Sequence, residues 1–521
     1  MKVQAARGTI AGGVPQPAWI VPVEVLLFAL FLRIGLVVHT GFDGLYGQDA
    51  FAYYDYTAAF KMALSQGQIP PPFFWPIGFP ALAVLFSSIW PLVSAMQIAN
   101  MLAGALIAVV IALLTRELLD KQQNAMIPSL FAGLLAASAG QLLISSVVAM
   151  SDATALLGAT VSAFGMVRFH RTLNPAWLAL AAFTLGWAVV TRWIFGLLIP
   201  VWGLALLMQT VDQKRIAREA GWRPAPHFPR RQFSVFLIAA VAFLLAISPQ
   251  MALIADDASR GVVAHVGDLQ TVGWNLTNIW QSDITNADGR FHYALPVALY
   301  YALPLVHPDY VSLWFTPLML IGVWALRRQR FALVLLLGWV AVMWGWLAGT
   351  AWENWRFPLA FFSPLAVMTG LGLHSLFRLV THWQANMIGA WIGICLLAAL
   401  GWGLVDANRF IDRQLQDRAI VSWARTQLPA NATVMSFGMT ATLQHFTPFR
   451  VLEMAEESPT FVEQIARKEK DVFILIDVQN VEFQWTGLAP QVNLQTLRDH
   501  FDVQIIGTRD DYTLFSVGSA R

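Results

Sequence analysis

Long apolar runs recur along the chain between short polar interruptions, a pattern typical of membrane-spanning helices. About 20 apolar residues allow an α-helix to cross the hydrocarbon core of a bilayer. Eleven runs meet or approach this length, and we predict a spanning helix in each. They are residues 20–39, 91–114, 127–149, 152–168, 175–190, 193–210, 233–253, 311–326, 331–349, 357–377 and 387–405.

Two segments depart from this pattern. Residues 76–90 are apolar but short and interrupted by proline, which predicts a helix at the outer membrane surface. From residue 406 onward, apolar stretches such as "DVFILID" and "YTLFSV" alternate with helical segments such as "SPTFVEQIARKEK", which predicts a small α/β domain. We expect a transmembrane domain at 1–405, with outer loops at 40–90 and 254–310, and a soluble domain at 406–521.

Composition supports an all-α polytopic membrane protein with this small appended domain. Hydrophobic residues make up 57% of the 521-residue chain and charged residues only 12%, with a mean hydropathy of +0.57. These values exclude an ordinary soluble domain. The net charge of +2 gives no indication of nucleic-acid binding, and the single cysteine, Cys395, excludes an internal disulfide.

The distribution of lysine and arginine predicts the orientation in the membrane. With a cytoplasmic N-terminus, sixteen basic residues fall in cytoplasmic segments, including the loop 211–232, and five in the opposite loops. Short cytoplasmic loops carry such an excess of basic residues. We therefore expect the C-terminal domain outside the cytoplasm. One arginine, Arg33, lies within the first predicted span.

Polar residues of chemical interest collect at the predicted outer ends of the spans. Asp43, Asp49 and Asp55 lie in the first outer loop, Asp152 opens the fourth span, Arg192 separates the fifth and sixth, and Glu353 and Arg356 precede the tenth. Ionisable groups at membrane depth are costly and tend to be partnered or functional. Interfacial anchoring or mutual ion pairing is the alternative interpretation for Asp152, Arg192 and Arg356.

The ordered set of motifs resembles that of the membrane glycosyltransferases of the GT-C fold, in particular bacterial relatives of protein mannosyltransferases and aminoarabinose transferases. The motifs read "GQDAFAYYDY", "SQGQIP", "WPIGFP", "MSDATAL", "VVTRW" and "ENWRFPLAFFSPLA". The resemblance extends from about residue 40 to residue 377. It implies an inverting hexosyl or pentosyl transferase that uses a polyprenyl-phosphate sugar as donor and a lipid, glycan or protein as acceptor.

The resemblance assigns a role to individual residues. Asp49 matches the acidic position of the family and is the expected general base. Arg192 and Arg356 would hold the donor phosphate, and Glu353 would orient Arg356 by ion pairing across one helical turn. Asp152 and Tyr53 would contribute to substrate binding. Tyr53, Tyr54 and Tyr56 with Trp75 form either a sugar-stacking surface or an interfacial aromatic anchor.

One departure from the family pattern bears on metal binding. Many relatives carry a second acid directly after the aspartate, where this chain has Ala50. A hard divalent cation, Mg²⁺ or Mn²⁺, usually binds more than one carboxylate together with phosphate oxygens. Asp49 and Asp152 would have to supply them jointly.

Transport of lipid-linked sugars by a transporter or flippase is the competing function, and a structural membrane scaffold is the third. A transporter is expected to place helix-breaking or ionisable positions near the middle of the membrane and often to contain repeated halves. This chain instead concentrates its acids and arginines at the outer rim. The sequence identifies neither the sugar nor the acceptor.

Overall fold

The computed structural model describes residues 19–119, 125–219, 228–264, 273–286 and 288–521. The predicted cytoplasmic N-terminus before residue 19 and the centre of the predicted loop 211–232 lie outside these ranges.

Each of the eleven predicted spans is helical. In order, the helices and strands of the membrane part are α1 Ile20–Thr40, α2 Gln48–Ser65, α3 Gly78–Phe86, α4 Leu92–Leu118, α5 Met126–Ser138, α6 Gly140–Val147, α7 Asp152–Thr172, α8 Pro175–Thr191, α9 Leu198–Glu219, α10 Phe228–Ser259, β1 Asp283–Asn286, β2 Gly289–His292, α11 Val297–Tyr300, α12 Thr316–Leu326, α13 Arg330–Ala348, α14 Phe362–Phe377 and α15 His382–Gln427. Short 3-10 helices at Trp193–Leu197 and Phe357–Phe361 lead into α9 and α14.

The predicted number of spans is not confirmed. Within the described ranges, six helices are long and apolar enough to cross a bilayer, or seven if α5 and α6, which meet at a 58° bend, form one broken span. The other apolar helices are shorter, such as α12 with 11 residues, which would rise only about 16 Å. The structure thus supports a multi-pass membrane protein without fixing eleven crossings.

The helices divide into a buried core and a peripheral set. In the apolar stretches that could span a membrane, 83% of the residues are buried in the stretch that contains α14 and 72% in that of α4. The corresponding shares are 11% for α10 and 22% for α15. Small residues allow close helix contact in the core: a Cβ added at Gly372 would overlap the carbonyl group of Leu318 on α12. Peripheral helices with exposed apolar side chains suit contact with lipid.

The predicted first outer loop, residues 40–90, contains two helices, α2 and α3. α2 and α3 contact each other, and α3 is the predicted short helix of residues 76–90, here nine residues long. The later outer loop contains the β1–β2 hairpin, in which Ile284 pairs with Phe291. These elements lie over one end of the helical core.

The C-terminal region forms the predicted α/β domain. Its elements are β3 Thr433–Ser436, α16 Thr440–Phe446, β4 Arg450–Glu453, α17 Pro459–Lys468, β5 Val472–Asp477, α18 Val478–Phe483, α19 Ala489–His500, β6 Phe501–Arg509 and β7 Tyr512–Ala520. The sheet order is β4-β3-β5-β7-β6. β3 runs parallel to β4 and β5, and β7 is antiparallel to both of its neighbours. Both "DVFILID" and "YTLFSV" are strands, as predicted.

The helix α15 connects the membrane part to this domain. It is 46 residues long and starts with a capping box at Thr381 and Gln384. The apolar composition ends near residue 405, but the helix continues to Gln427 without interruption. The predicted boundary at 405/406 is therefore a change of composition within one helix, and the division into two domains stays a prediction.

Candidate active site

Four predicted site residues, Asp49, Asp152, Arg192 and Arg356, converge at one end of the helical core. The Arg356 guanidinium donates from Nη2 to Asp49 Oδ2 at 2.6 Å, and its Nε lies 3.7 Å from Asp152 Oδ2. Arg192 pairs with the other oxygen of Asp152, Oδ1. Segments separated by as many as 307 residues thus form one alternating chain of charges, Asp49–Arg356–Asp152–Arg192.

Burial within this charge network is graded. The side chain of Asp152 is 7% exposed, those of Arg356 and Arg192 are 22% and 25% exposed, and that of Asp49 is 32% exposed. Asp152 Oδ2 and Arg356 Nε are buried and form no hydrogen bond with any described residue, because their ion pair is too long for one. Asp152 is therefore the inner anchor of both arginines, and Asp49 is the acid most open to a substrate.

Helix ends and a buried amide position the two aspartates. Asp49 and Asp152 both lie in the first turn of their helices, where the helix dipole favours a negative charge. The Nδ2 of Asn100 on α4 donates to the carbonyl groups of Val148 and Met150 at 2.5 and 2.6 Å, and Asn100 Oδ1 accepts from Thr154. Asn100 thereby fixes the turn that precedes Asp152 from both sides.

Arg192 lies where α8 ends. Its backbone N–H donates to the Ala188 carbonyl, and its own backbone is extended. The motif "WPIGFP" packs directly beside this end: a Cβ added at Gly78 would lie 2.7 Å from the Val190 carbonyl oxygen. Glycine is therefore required at position 78 for α3 to approach the α8 terminus that carries Arg192.

The ring of Phe357 lies beside both arginines. Its centroid is 5.6 Å from the Arg192 Cζ and 5.7 Å from the Arg356 Cζ, within cation–π range. Arg356 Nη1 also donates to Met150 Sδ at 3.3 Å. These contacts leave the two guanidinium groups side by side, an arrangement suited to a dianionic phosphate.

Tyr53 is buried next to the site and does not present an open surface to a sugar. It is 3% exposed, its ring stacks on Trp75 at 5.0 Å, and its hydroxyl donates to Ser151 Oγ at 2.9 Å. Burial raises the pKa of Tyr53 to about 12, so it stays a neutral donor. Tyr56 and Phe73 stack on each other at 3.9 Å in the same way. The predicted tyrosine group is thus largely internal packing.

The expected pairing of Glu353 with Arg356 is not observed. Residues 350–356 form an irregular loop, so the two side chains are not one helical turn apart, and Arg356 is engaged by the aspartates. Within the described part of the chain Glu353 forms no ion pair, and its buried Oε1 has no hydrogen-bond partner. Burial raises the pKa of Glu353 to about 7.

The neighbouring acids of the first outer loop lie elsewhere. Asp43 is the predicted turn residue, since its Oδ1 accepts from the Leu45 N–H, and it also pairs with Arg418 on α15. Asp55 is exposed on α2. Neither acid contacts the two arginines among the contacts of the described residues.

Two contributors, Asn100 and Phe357, were missed by sequence reasoning. Asn100 and Gln97 are polar positions about one turn apart in the otherwise apolar stretch 95–114 of α4, and this irregularity was a usable signal. Gln97 donates to the carbonyl groups of Phe42 and Val147 and so ties the first outer loop to the end of α6. Phe357 follows Arg356 directly within the motif "ENWRFPLAFFSPLA", but no role was assigned to it.

The comparisons with known proteins agree with the predicted resemblance. The family model described as dolichyl-phosphate-mannose-protein mannosyltransferase matches residues 23–254. No curated protein sequence gives a significant match.

Solved structures share the fold at low sequence identity. ArnT from Cupriavidus metallidurans bound to undecaprenyl phosphate is 13% identical with a TM-score of 0.60, and the match covers 96% of this chain and 98% of that chain. The apo oligosaccharyltransferase of Archaeoglobus fulgidus is 14% identical with a TM-score of 0.54, covering 96% of this chain and 74% of that one. The predicted resemblance to membrane glycosyltransferases of the GT-C fold is confirmed.

Proposed function

We propose that this protein transfers a sugar from a polyprenyl-phosphate donor to an acceptor hydroxyl on the extracytoplasmic side of the membrane. The observation that carries the proposal is the paired Asp49–Arg356–Asp152–Arg192 network at one end of the helical core. The match to the mannosyltransferase family and the undecaprenyl phosphate bound by the ArnT of similar fold support a lipid-phosphate donor.

The chemistry requires one base and a stabilised leaving group. The acceptor oxygen attacks the anomeric carbon while its proton passes to the Asp49 carboxylate, and the carbon–oxygen bond to phosphate breaks with its electron pair remaining on the phosphate. Arg192 and Arg356 stabilise the charge that grows there. Attack opposite the leaving phosphate inverts the anomeric centre. The leaving group needs no proton, so a second acid is not required.

Asp49 is well placed for the role of base. It is the most exposed member of the network, and the Arg356 contact uses its Oδ2. A donor phosphate that binds Arg356 competes with Asp49 for the guanidinium and leaves the carboxylate beside the reacting centre. The deeper Asp152 keeps both arginines in place during this exchange.

A divalent cation fits this arrangement poorly. Mg²⁺ or Mn²⁺ would have Asp49 and Asp152 as protein ligands, yet both carboxylates already accept guanidinium groups. In the described residues no group of three or more His, Asp, Glu or Cys side chains has the geometry of a metal site. The two arginines supply the positive charge that a cation would otherwise bring.

The competing transporter hypothesis gains no support from these contacts. The charged cluster lies at the starts of α2 and α7 and at the end of α8, not in the middle of these helices. The arginine inside the first span, Arg33, is fully buried and donates to the backbone of Ala29 and Ala137, where α5 ends. This contact caps the carboxyl end of α5 at the break before α6.

Reconstitution separates the two functions. Purified protein in liposomes with a polyprenyl-phosphate sugar and an acceptor lipid or peptide should form the glycosylated acceptor, and Asp49→Asn should abolish product formation. Movement of the donor between leaflets with no transfer to any acceptor would refute the transferase and favour a flippase.

A further inference from the structure

A buried carboxylate outside the four-residue network, Asp309, connects three segments around the site. Asp309 is 3% exposed. Its Oδ2 accepts from the indole N–H of Trp355 at 2.8 Å, and its Oδ1 accepts from the indole N–H of Trp402 on α15 at 3.0 Å. His307 Nδ1 lies 3.3 Å from Oδ2. A carboxylate held by two indole donors in a buried position makes strong, directional hydrogen bonds.

Trp355 immediately precedes Arg356 in a loop that has no regular secondary structure of its own. Side chains from residues 301–310 hold this loop instead. The Tyr310 hydroxyl donates to the Trp355 carbonyl at 2.5 Å, and the Tyr301 hydroxyl donates to the Trp352 carbonyl at 2.6 Å. Arg356 itself is the N-cap residue of the 3-10 helix Phe357–Phe361, so the contacts of the Asp309 region hold the irregular segment that enters this helix and precedes Arg356.

The same residue also contacts the segment that leads to Asp152. The Asp309 carbonyl accepts from the Gln141 N–H at 3.2 Å in the first turn of α6. A Cβ added at Gly140 would lie 2.8 Å from Asp309 Oδ1, so α6 begins in direct contact with the carboxylate. α6 in turn leads through residues 148–150 to Asp152. Asp309 thus touches the supports of Arg356 and of Asp152 without touching either side chain.

We infer that Asp309 is a positioning residue for the donor phosphate site, acting through the Trp355 indole on Arg356. The identity of the ligand in this inference rests on the proposed function. The effect is specific: loss of the Asp309–Trp355 hydrogen bond lets the loop 350–356 shift, so that the two guanidinium groups no longer meet one phosphate. A carboxylate that served packing alone would change stability without changing affinity for the phosphate.

The test measures binding of undecaprenyl phosphate, a sugar-free probe, to full-length protein in lipid nanodiscs. Trp355→Phe removes only the indole donor, and Asp309→Asn leaves an amide that can accept from one indole but not from both. Each should raise Kd for the probe about 3-fold to 10-fold, the range of one hydrogen bond. In an Arg356→Ala background Trp355→Phe should add nothing, because the contact acts through Arg356.

A matched control removes a buried indole donor elsewhere. Trp202 on α9 is 4% exposed and donates to Ser162 Oγ at 2.8 Å, so Trp202→Phe should leave Kd unchanged. The inference is overturned if Arg356→Ala raises Kd while Trp355→Phe does not. It is also overturned if Trp355→Phe raises Kd further in the Arg356→Ala background, or if Trp202→Phe raises Kd as much as Trp355→Phe does. Absence of probe binding by the wild type, or an unchanged Kd in Arg356→Ala, would instead count against the proposed donor site.

Discussion

Asp49→Asn is the most informative single change, because the amide keeps the shape of the side chain and loses the base. The carbonyl oxygen of the introduced amide can still accept a hydrogen bond from Arg356 Nη2, which lies 2.6 Å from Asp49 Oδ2 in the wild type. The Asp49 side chain is 32% exposed, so the loss of charge should have little effect on stability. Competition with the donor phosphate for Arg356 also weakens. We therefore expect donor affinity equal to or tighter than that of the wild type.

The expected loss is in the chemical step. General base catalysis contributes about 10²-fold to 10⁴-fold, which corresponds to roughly 2.7 to 5.4 kcal/mol of transition-state stabilisation.

Asp152→Asn should behave differently. Its side chain is 7% exposed and serves both arginines, and removing one partner of a buried ion pair costs about 3 to 5 kcal/mol of folding stability. That variant should melt at a lower temperature.

Three measurements on each variant separate these effects: the single-turnover rate in proteoliposomes, Kd for undecaprenyl phosphate, and Tm. Asp49→Asn should lower the rate, leave Tm unchanged and leave Kd unchanged or lower than that of the wild type. Asp43→Asn serves as the control for an acid in the same loop, because Asp43 interacts with Leu45 and Arg418 and not with the network. The assignment of the base is wrong if Asp49→Asn retains most of the activity while Asp55→Asn or Asp152→Asn, with Tm unchanged, abolishes it.

Three further predictions concern the donor site, pH and metal. Arg192→Ala and Arg356→Ala should each raise the donor KM at least tenfold. The control Lys61→Ala removes only a contact to the Ser87 carbonyl and should leave KM unchanged. If all three variants change KM equally, the arginines are interfacial anchors. The raised pKa of Glu353, about 7 against 4.5, means that the folded state holds a proton that the unfolded state releases, so stability falls as pH rises from about 4.5 to 7. Glu353→Gln should match the wild-type Tm below this window and exceed it above pH 7, and parallel Tm curves would contradict the pKa shift. Chelation with EDTA should lower the transfer rate less than tenfold, because guanidinium groups occupy both carboxylates; complete loss restored by Mg²⁺ or Mn²⁺ would refute this.

The fold was predictable to the extent that hydrophobicity determines it. Apolar runs located a helix in every predicted span, and alternating composition located the strands β5 and β7 of the C-terminal sheet. The number of crossings was less predictable. Helices such as α12 are too short to cross a bilayer of normal thickness on their own, and α5 and α6 are separated by a bend at the extended residue Ala139.

The site was predictable as a set of residues but not as a set of contacts. The order of the motifs identified Asp49, Asp152, Arg192 and Arg356 as candidates. A single sequence does not reveal that Arg356 contacts two aspartates that are 103 positions apart. The pairing of Glu353 was wrong because it assumed a helix at residues 353–356, where the structure has an irregular loop. Ion pairs between distant segments depend on tertiary packing, which local periodicity does not encode.

The placement of Asp152 bears on how the site admits a phosphate without leaving charges unpaired. Two arginines close together would repel each other and lower the stability of the donor-free protein. Asp152 prevents this by pairing with both, and Asp49 takes the second contact on Arg356 from the open side. Under the proposed function, an incoming phosphate would displace only the exposed partner, while the buried one would stay in place. The acid that leaves the arginine would also be the proposed base, so donor binding would free the base in the same step.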